Sequence, residues 1–427
     1  MTVELISVGT ELLLGNIVNT NANYLSVQCA KLGFSMYHQI TVGDNEGRLA
    51  EAIKTAMNRA DIIILTGGLG PTSDDITKET LAKVLGRELV MDEHSKKRIL
   101  SYFERIYPDV NRNLPEGLAK ITENNWKQAL KIKDSIVIDN ENGTAPGYIV
   151  EDKSKIFILL PGPPSEMIPM FENGMIPYLR KYQDKVFVSK MVKICGIGES
   201  KAETMIMDLI NAQNNPTIAP YAKTGEVHFR VTAGADNYKD AEALIEPVIN
   251  ELKSRFGINI YTTSEDVTLE QAVIELLRRH KLTLSTAESC TGGLLSGRIV
   301  NVSGASDVFM EGFITYSNNA KIKYLNVDAD ILDKYGAVSE ETARQMAKGC
   351  AKVSGCDVSV AVTGIAGPTG GSIEKPVGLV YIACHIKGKT VVSKRNFRGN
   401  REKIREQSVV AALDLVRRCV LETYEIS

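Results

Sequence analysis

DIIILTGGLGPTSDD, residues 61–75, decides the fold. Its apolar half carries no polar residue at alternate positions, so it reads as a strand buried on both faces, as in a parallel sheet covered by helices. The glycines stop the strand, and Ile76 to Leu85 reads as a helix closed by Gly86. Working outward, VELISVG (3–9) is a short apolar strand, followed by a helix-like run through Cys29 to Leu32 that ends at Gly33. Residues 36–42 read as a strand and 48–59 as a helix. KIFILLPGPP (155–164) is another buried strand, stopped by three prolines. This alternation predicts a doubly wound α/β domain over roughly 1–165.

The texture then changes. MVKICGIGESKAETMIMDLI suggests a strand and a helix, and EVHFRVTAG (226–234) alternates with period two. NYKDAEALIEPVINELKSRFG reads as an amphipathic helix closed by Gly257, and the polar YTTSEDVT (261–268) marks a boundary. The last stretch is α/β again. A helix at 269–279 leads into strand LTLSTA (282–287) and a helix from Leu294 to Asn301. GFITY (312–316) and DVSVAVTG (357–364) are strands, and between them Ser339 with Glu340 and Glu341 opens a helix. VGLVYIACHI and TVVSKRNF read as a strand pair, and a final helix runs from Arg401. The expected architecture is α/β, with two three-layer α/β/α domains (1–168 and 263–427) joined by a small α+β module (169–262). A chain of 427 residues agrees with more than one domain, at about 150 residues each.

Fifty Lys+Arg against 52 Asp+Glu leave a formal charge of −2. That excludes a basic nucleic-acid packing protein, and the lack of an aromatic-plus-basic stripe disfavours nucleic-acid partners generally. The 44% hydrophobic and 24% charged fractions are those of a soluble globular chain. No apolar run approaches the roughly 18 residues of a transmembrane helix. The start, MTVELISVGTELLLG, lacks a basic segment and carries Glu4 and Glu11, so it does not read as a signal peptide. Seven scattered cysteines without a C-x-x-C pair support neither a disulfide framework nor structural zinc. The expectation is a cytoplasmic protein away from the membrane.

A second strand-to-helix junction is Ala287-Glu288-Ser289-Cys290-Thr291-Gly292-Gly293. Gly292 and Gly293 let the backbone turn tightly and leave amide N–H groups open, and the first N–H groups of a helix have no partner within it. Such a terminus suits an anion or a developing oxyanion, with the Ser289 hydroxyl beside it as nucleophile. A serine needs a base. His280 and His385, the histidines of this part of the chain, fall near element bodies. Lys321, in TYSNNAK after the strand at 312–316, is a better base if desolvation lowers its pKa, with Tyr316 relaying or orienting the proton. A plain helix N-cap is the bland alternative. Thr363 and Gly364, in a loop that continues through Gly367, Gly370 and Gly371, follow the strand at 357–362, where open α/β sheets form their binding crevice. Arg398 and Arg401 open the last helix and could clamp a phosphate or carboxylate; a solvated helix face reads equally well.

In the first domain, Gly67 and Gly68 suit a phosphate cradle, followed by Thr72, Asp74 and Asp75. Two carboxylates repel a bare phosphate, so Asp75 and Asp74 imply a divalent metal ion between them; helix capping is the alternative. Glu11 and the amides of Asn19, Asn21 and Asn23 lie near the first strand end. Gly143-Thr144-Ala145-Pro146-Gly147 and Pro161-Gly162-Pro163-Pro164 are rigid turns suited to pocket walls.

These residues also carry a resemblance, which runs essentially end to end. The chain resembles the CinA (competence/damage-inducible protein A) family. VGTELLLGNIVNTNANYL, TGGLGPTSDDITKE and PGPPSEM look like its N-terminal domain, itself similar to molybdopterin-binding proteins of molybdenum-cofactor synthesis. GIGES and PTIAPYAKTGEVHFRVTA resemble its middle module. TAESCTGG, GFITYSNNAK, GAVSEETA, VTGIAGPTGG and KPVGLVY resemble its C-terminal domain, a nicotinamide mononucleotide (NMN) deamidase. The resemblance implies hydrolysis of NMN to nicotinate mononucleotide and ammonia, without a cofactor. Ser289, Tyr316 and Lys321 fall on the Ser-Tyr-Lys centre, and Thr363 and Arg401 on substrate-contacting positions, with Gly292, Gly293 and Gly364 lining the site. It also implies a metal-dependent ADP-ribose pyrophosphatase in the N-terminal domain, around Glu11, Asn21, Gly67, Gly68, Thr72, Asp74 and Asp75. A homodimer is expected. The resulting expectation is a bifunctional NAD-salvage hydrolase acting on small nucleotides; the alternatives are a pterin- or cofactor-binding protein and a competence-related interaction protein.

Overall fold

In the computed structural model of the chain, residues 1–106, 122–183 and 185–425 are described. They form two compact units, Met1–Phe187 with Gly234–Tyr238, and Val188–Ala233 with Lys239–Ser427.

The first unit is built on strands β1 (Thr2–Val8), β2 (Ser35–Val42), β3 (Ile62–Thr66), β4 (Leu89–Met91), β5 (Leu130–Ile132), β6 (Ile136–Ile138), β7 (Gly147–Asp152) and β8 (Lys155–Leu160). Six of them make one sheet in the order β2-β1-β3-β8-β7-β6, and β4 with β5 makes a small ribbon. β1, β2, β3 and β8 run parallel, while β7 runs antiparallel to both its neighbours, β8 and β6. Every residue of β3 is buried. Ile62 and Ile64 enter one core with Leu5 and Leu25, and Ile63 and Leu65 enter the opposite core with Ile53 and Leu81. Each such side chain contributes roughly 1.5–3 kcal/mol relative to exposure, on both faces at once, so β3 has to be the middle of a covered sheet. Helix Thr20–Lys31 covers the first face, and helices Glu46–Met57 and Thr77–Leu85 the second. Met167, Met170, Phe171, Met175 and Leu179 join the first core, so this unit's apolar layer continues past residue 168. Met167, Phe171, Met175 and Leu179 recur every four residues, which keeps one helical face on the sheet.

In the second unit, β9 (Val186–Cys195), β10 (Thr217–Lys223), β11 (Glu226–Ala235) and β12 (Ile260–Thr262) form a sheet in the order β10-β11-β9-β12, with the long helix Tyr238–Phe256. β13 (Leu284–Glu288), β14 (Phe309–Ile314), β15 (Val358–Gly364), β16 (Leu379–Ile386) and β17 (Lys389–Asn396) form another, in the order β14-β13-β15-β16-β17. β13 lies parallel between β14 and β15. Helices Leu269–Arg279, Leu294–Val300 and Arg401–Tyr424 pack on one face, and Asn318–Leu325, Ala329–Tyr335 and Glu340–Ser354 on the other. On that second face Ala287, Ala361 and Ala383 stand in register across three strands, small enough for a helix to come close. The strand expected at 312–316 ends at Ile314. Thr315 still donates its N–H to Glu288 O, but the chain then turns so that Ser317 can cap helix Asn318–Leu325.

Cys195 and Tyr261 of the middle module pack on the core of the last domain, and polar groups join the two as well. Asp414, 4% exposed on the last helix, accepts from Arg417, Arg418 and the Cys195 thiol of β9. Arg417 donates on to the carbonyls of Ile258 and Ile260. All seven cysteines are free and buried. Among the described residues no helix is long and apolar enough to cross a membrane. Breaking a buried ion pair from one side leaves the other charge stranded, so Asp414→Asn is expected to cost about 3 kcal/mol. Calorimetry should show the second unit's transition falling by roughly 6–12 °C; an unshifted transition would mean that the cluster does not hold the module to the domain.

Candidate active site

β13 carries the chain to Glu288, and Ser289 stands at the turn beyond it, its N–H still donating to Val362 O of β15 at 2.9 Å. Lys321 comes from helix Asn318–Leu325, which follows β14 and packs on the face of Ala287, and has no exposed surface. Its Nζ lies 3.2 Å from Ser289 Oγ, 2.8 Å from Thr315 O and 3.3 Å from Tyr316 O. The three acceptors satisfy all three N–H bonds of an ammonium. In the neutral amine, two N–H bonds keep the carbonyls and the lone pair is left to accept the Ser289 O–H. Burial pushes Lys321 down to about 8, which makes that neutral form accessible.

The helix terminus beside the serine differs from its expected role. Glu288, fully buried, accepts from Gly293 N (2.9 Å), Leu295 N (3.1 Å), Ser296 N (2.8 Å) and Ser296 Oγ (2.6 Å). The first N–H groups of helix Leu294–Val300 are therefore taken by the chain's own carboxylate and not left for an external anion, because the strand ends one residue before the serine with its side chain facing the helix start. Among the described residues no other residue accepts from the backbone N–H of Cys290 or Thr291, though the former lies within reach of its own thiol, and these two donors remain next to Ser289. Gly293 has φ 93°, a left-handed turn that an L side chain resists, and this lets its N–H reach Glu288. Arg405, a residue not anticipated from sequence, donates to Cys290 O (3.1 Å) and Thr291 O (2.7 Å) and grips the turn from the last helix.

The remaining expected residues fall as follows. Tyr316 contributes its carbonyl to Lys321, while the residue as a whole is 64% exposed. Thr363 is buried and its hydroxyl donates to Ala337 O at 2.7 Å. At Gly364 a Cβ would sit 2.8 Å from Leu379 O, so the strand pairing needs a glycine. Arg401 donates to Gly367 O at 2.8 Å and ties the glycine loop to the last helix. His280 meets Glu425 and His385 meets Thr390, so neither joins the serine.

In the first domain, Asn21 Nδ2 donates to Thr66 Oγ1 (3.1 Å) and Gly162 O (2.7 Å), bringing the early asparagine to the strand end and the proline turn. Its Oδ1 is buried without a partner among the described residues. Gly67 cannot carry a Cβ, which would lie 2.1 Å from Val8 O, and a Cβ on Gly68 would meet Thr77. Thr72 donates its N–H to Asp75 at 3.0 Å and its hydroxyl to Asp74 and Asp75; the hydroxyl holds the Asp74 carboxyl below the usual range. Glu11 lies exposed over Gly9. Among the described residues no group of three or more His, Cys, Asp or Glu is arranged to hold a metal. One oxygen each of Asp74 and Asp75 is left by Thr72, which fits an ion of the magnesium type that takes its other ligands from phosphate and water.

Fold and geometry define a modular α/β protein whose last domain encloses a serine–lysine pair. Residues 266–420 match the CinA C-terminal domain, 4–181 the Probable molybdopterin binding domain, and 189–262 the damage-inducible protein CinA KH domain. A Clostridium beijerinckii protein named as competence-damage inducible is 52% identical over 99% of this chain and 100% of its own length. A CinA-like protein of Kosmotoga olearia is 51% identical over 99% of each chain. Among solved structures, the competence/damage inducible protein CihA from Agrobacterium tumefaciens is 43% identical over 35% of this chain and 91% of that one, with a TM-score of 0.34. The chain belongs to the CinA family.

Cys290, next to the serine, is 6% exposed, and burial pushes its thiol up to about 12. Iodoacetamide at pH 8 should leave Cys290 unmodified in the native chain and label it after denaturation, since the thiolate is the reacting form; rapid native labelling found by mass spectrometry would make the thiol a competing nucleophile beside Ser289.

Proposed function

We propose that the last domain is a nicotinamide-nucleotide amidohydrolase that converts NMN and water to nicotinate mononucleotide and ammonia. The observation that carries this reading is the 3.2 Å approach of a buried lysine amine to the Ser289 hydroxyl. Neutral Lys321 takes the Ser289 proton as Oγ attacks the carboxamide carbon, and the carbonyl electron pair moves onto oxygen. The Cys290 and Thr291 N–H groups are the donors available to that oxyanion. On collapse the C–N bond breaks and the Lys321 proton goes to the leaving nitrogen, giving ammonia and a Ser289 ester. Water, deprotonated by the same amine, then cleaves the ester and restores the serine. Because Lys321 reaches Ser289 directly, a relay through the Tyr316 phenol is not required. NMN as substrate rests on the family resemblance; the pair itself requires only an activated carboxamide.

For the first domain we propose a metal-assisted ADP-ribose pyrophosphatase. Asp74 and Asp75 would hold a divalent ion there, which when bound neutralises charge on the bridging phosphates. Gly67 and Gly68 let the loop turn tightly against Val8 and Thr77 at the strand end where a phosphate would lie, and the unpartnered Asn21 Oδ1 offers an acceptor for a ribose hydroxyl or water. A second reading, a pterin ligand at the same loop, is favoured by the molybdopterin-binding match over 4–181.

Ser289→Ala should lower kcat for ammonia release from NMN by at least about 10³-fold. Lys321→Arg should be nearly as damaging as Lys321→Ala, because a guanidinium stays charged; Tyr316→Phe should be the mildest of the set. An active Lys321→Arg enzyme would show that only positive charge is needed.

Since Lys321 has to lose its proton to act and burial depresses it, kcat/KM should rise with pH and level off above about 8. A profile that falls through that range would contradict a lysine base.

Chelator, or Asp75→Ala, should abolish ADP-ribose cleavage while leaving ammonia release intact. Chelator-sensitive deamidation would argue against a metal-free serine mechanism, and tight pterin binding without ADP-ribose turnover would favour the second reading.

A further inference from the structure

The middle module supplies neither the serine, the lysine nor any residue of the glycine loops, so the proposed chemistry leaves it without a task. Its contacts suggest one. The serine turn is held by two helices: Leu294–Val300, which grows out of it, and Arg401–Tyr424, whose Arg405 grips its carbonyls. Both are anchored, away from the turn, on the middle module: the shorter on β11, the longer on the end of β9 and the turn that leads into β12. In the last turn of the shorter helix, Arg298 donates to Glu226 Oε1 of β11 (3.4 Å) and to Glu270 Oε2 (3.0 Å). Glu226 is 7% exposed; its other oxygen accepts from Tyr261 of β12 at 2.5 Å and meets His228 at 3.1 Å. On the longer helix, Arg417 donates to Ile258 O (2.6 Å), and Arg418 to Asn259 Oδ1 (2.7 Å) and Cys195 O (3.3 Å).

We infer that the middle module is a working part of the serine–lysine site: it is the common abutment that sets the spacing of the two helices holding the serine turn, with Arg298 and Glu226 as positioning residues. A helix of seven residues is a stiff strut of roughly 10 Å, so a shift at Arg298 is passed to Ser289. The Ser289–Lys321 approach tolerates little of it, because misplacing a reacting group by about 1 Å costs on the order of 10²-fold in rate. Glu288 completes the arrangement by locking the opposite end of the same strut. Glu270 alone cannot replace Glu226, since it fixes the helix to its neighbour within the domain and not to the module that also anchors the longer helix.

The inference rests on the amidohydrolase reading for its rate assay, and the test separates the two. In the full chain, Glu226→Gln and Arg298→Met should each lower kcat for ammonia release by about tenfold or more, with KM for NMN within about twofold, at a temperature where both variants remain folded by circular dichroism. The double variant should be no slower than Arg298→Met, the mark of one shared interaction, and Arg298→Lys should recover part of kcat. Lowered melting temperature with unchanged kcat in both single variants would overturn the inference, as would additive losses in the double. If Arg298→Met fails to fold, the isosteric Glu226→Gln carries the test alone. If the wild type releases no ammonia from NMN, it is the proposed function that fails. The inference is then read from the rate at which a fluorophosphonate probe acylates Ser289: slower labelling in Glu226→Gln supports it, and wild-type labelling overturns it.

Discussion

An amine buried with no exposed surface is tolerated only if every N–H finds an acceptor, and around Lys321 that condition shapes the second unit. The carbonyls of Thr315 and Tyr316 can face it only because β14 stops at Ile314 and the chain turns outward there. Ser289 can face it only because β13 lies between β14 and β15, which brings the serine turn beside the residues leaving β14. Small side chains at Ala287, Ala361 and Ala383 then let a helix close over that face of the sheet. The same burial that threatens the charged form depresses its pKa, so the cost of placing a lysine there and its fitness as a base have one cause.

The serine turn shows how a helix terminus can be claimed by the chain itself. Four donors converge on Glu288, so the favourable start of helix Leu294–Val300 serves rigidity. The donors that remain are peptide N–H groups of the turn. Arg405 pulls the Cys290 carbonyl toward the last helix, which turns the Thr291 N–H of the same planar peptide the opposite way. Charge in this region is thereby spent on geometry, and little of it is left over for long-range attraction, in keeping with a chain whose net charge is −2.

The first domain reaches a similar strand-to-helix junction by a different route. There the glycines are forced by close approach of backbone, since a Cβ on Gly67 would strike Val8 O. The carboxylates lie farther along the loop, tied to Thr72 and close to solvent. A shielded pair in one domain and an open, acidic loop in the other are different electrostatic settings, one suited to a proton and the other to a cation.

Much of the fold was legible because hydrophobic burial acts locally in sequence. Four consecutive apolar residues in β3 can be satisfied only with cover on both faces, and Ser339 followed by two glutamates starts a helix wherever it is placed. The position of Ser289 at a strand–helix turn was legible for the same reason. Residue type and resemblance named Lys321 as the partner of Ser289 without placing it, and gave no sign of Arg405. Lys321 is 32 residues from Ser289 and Arg405 is 115 from Cys290. The strand order decides those meetings, through backbone hydrogen bonds that carry no side-chain signature. Glu288 stood in plain view within the motif, yet its direction depends on the pleat of β13, which sends it to the helix start while the next residue turns toward the lysine. Likewise the end of β14 left Tyr316 as a whole exposed and its carbonyl turned to the lysine. Residue types and their local periodicity determined the elements and the nucleophile's address. Tertiary structure alone decided the protonation of the base, the occupant of the helix terminus and the supports of the turn, because each depends on burial and on partners distant in the chain.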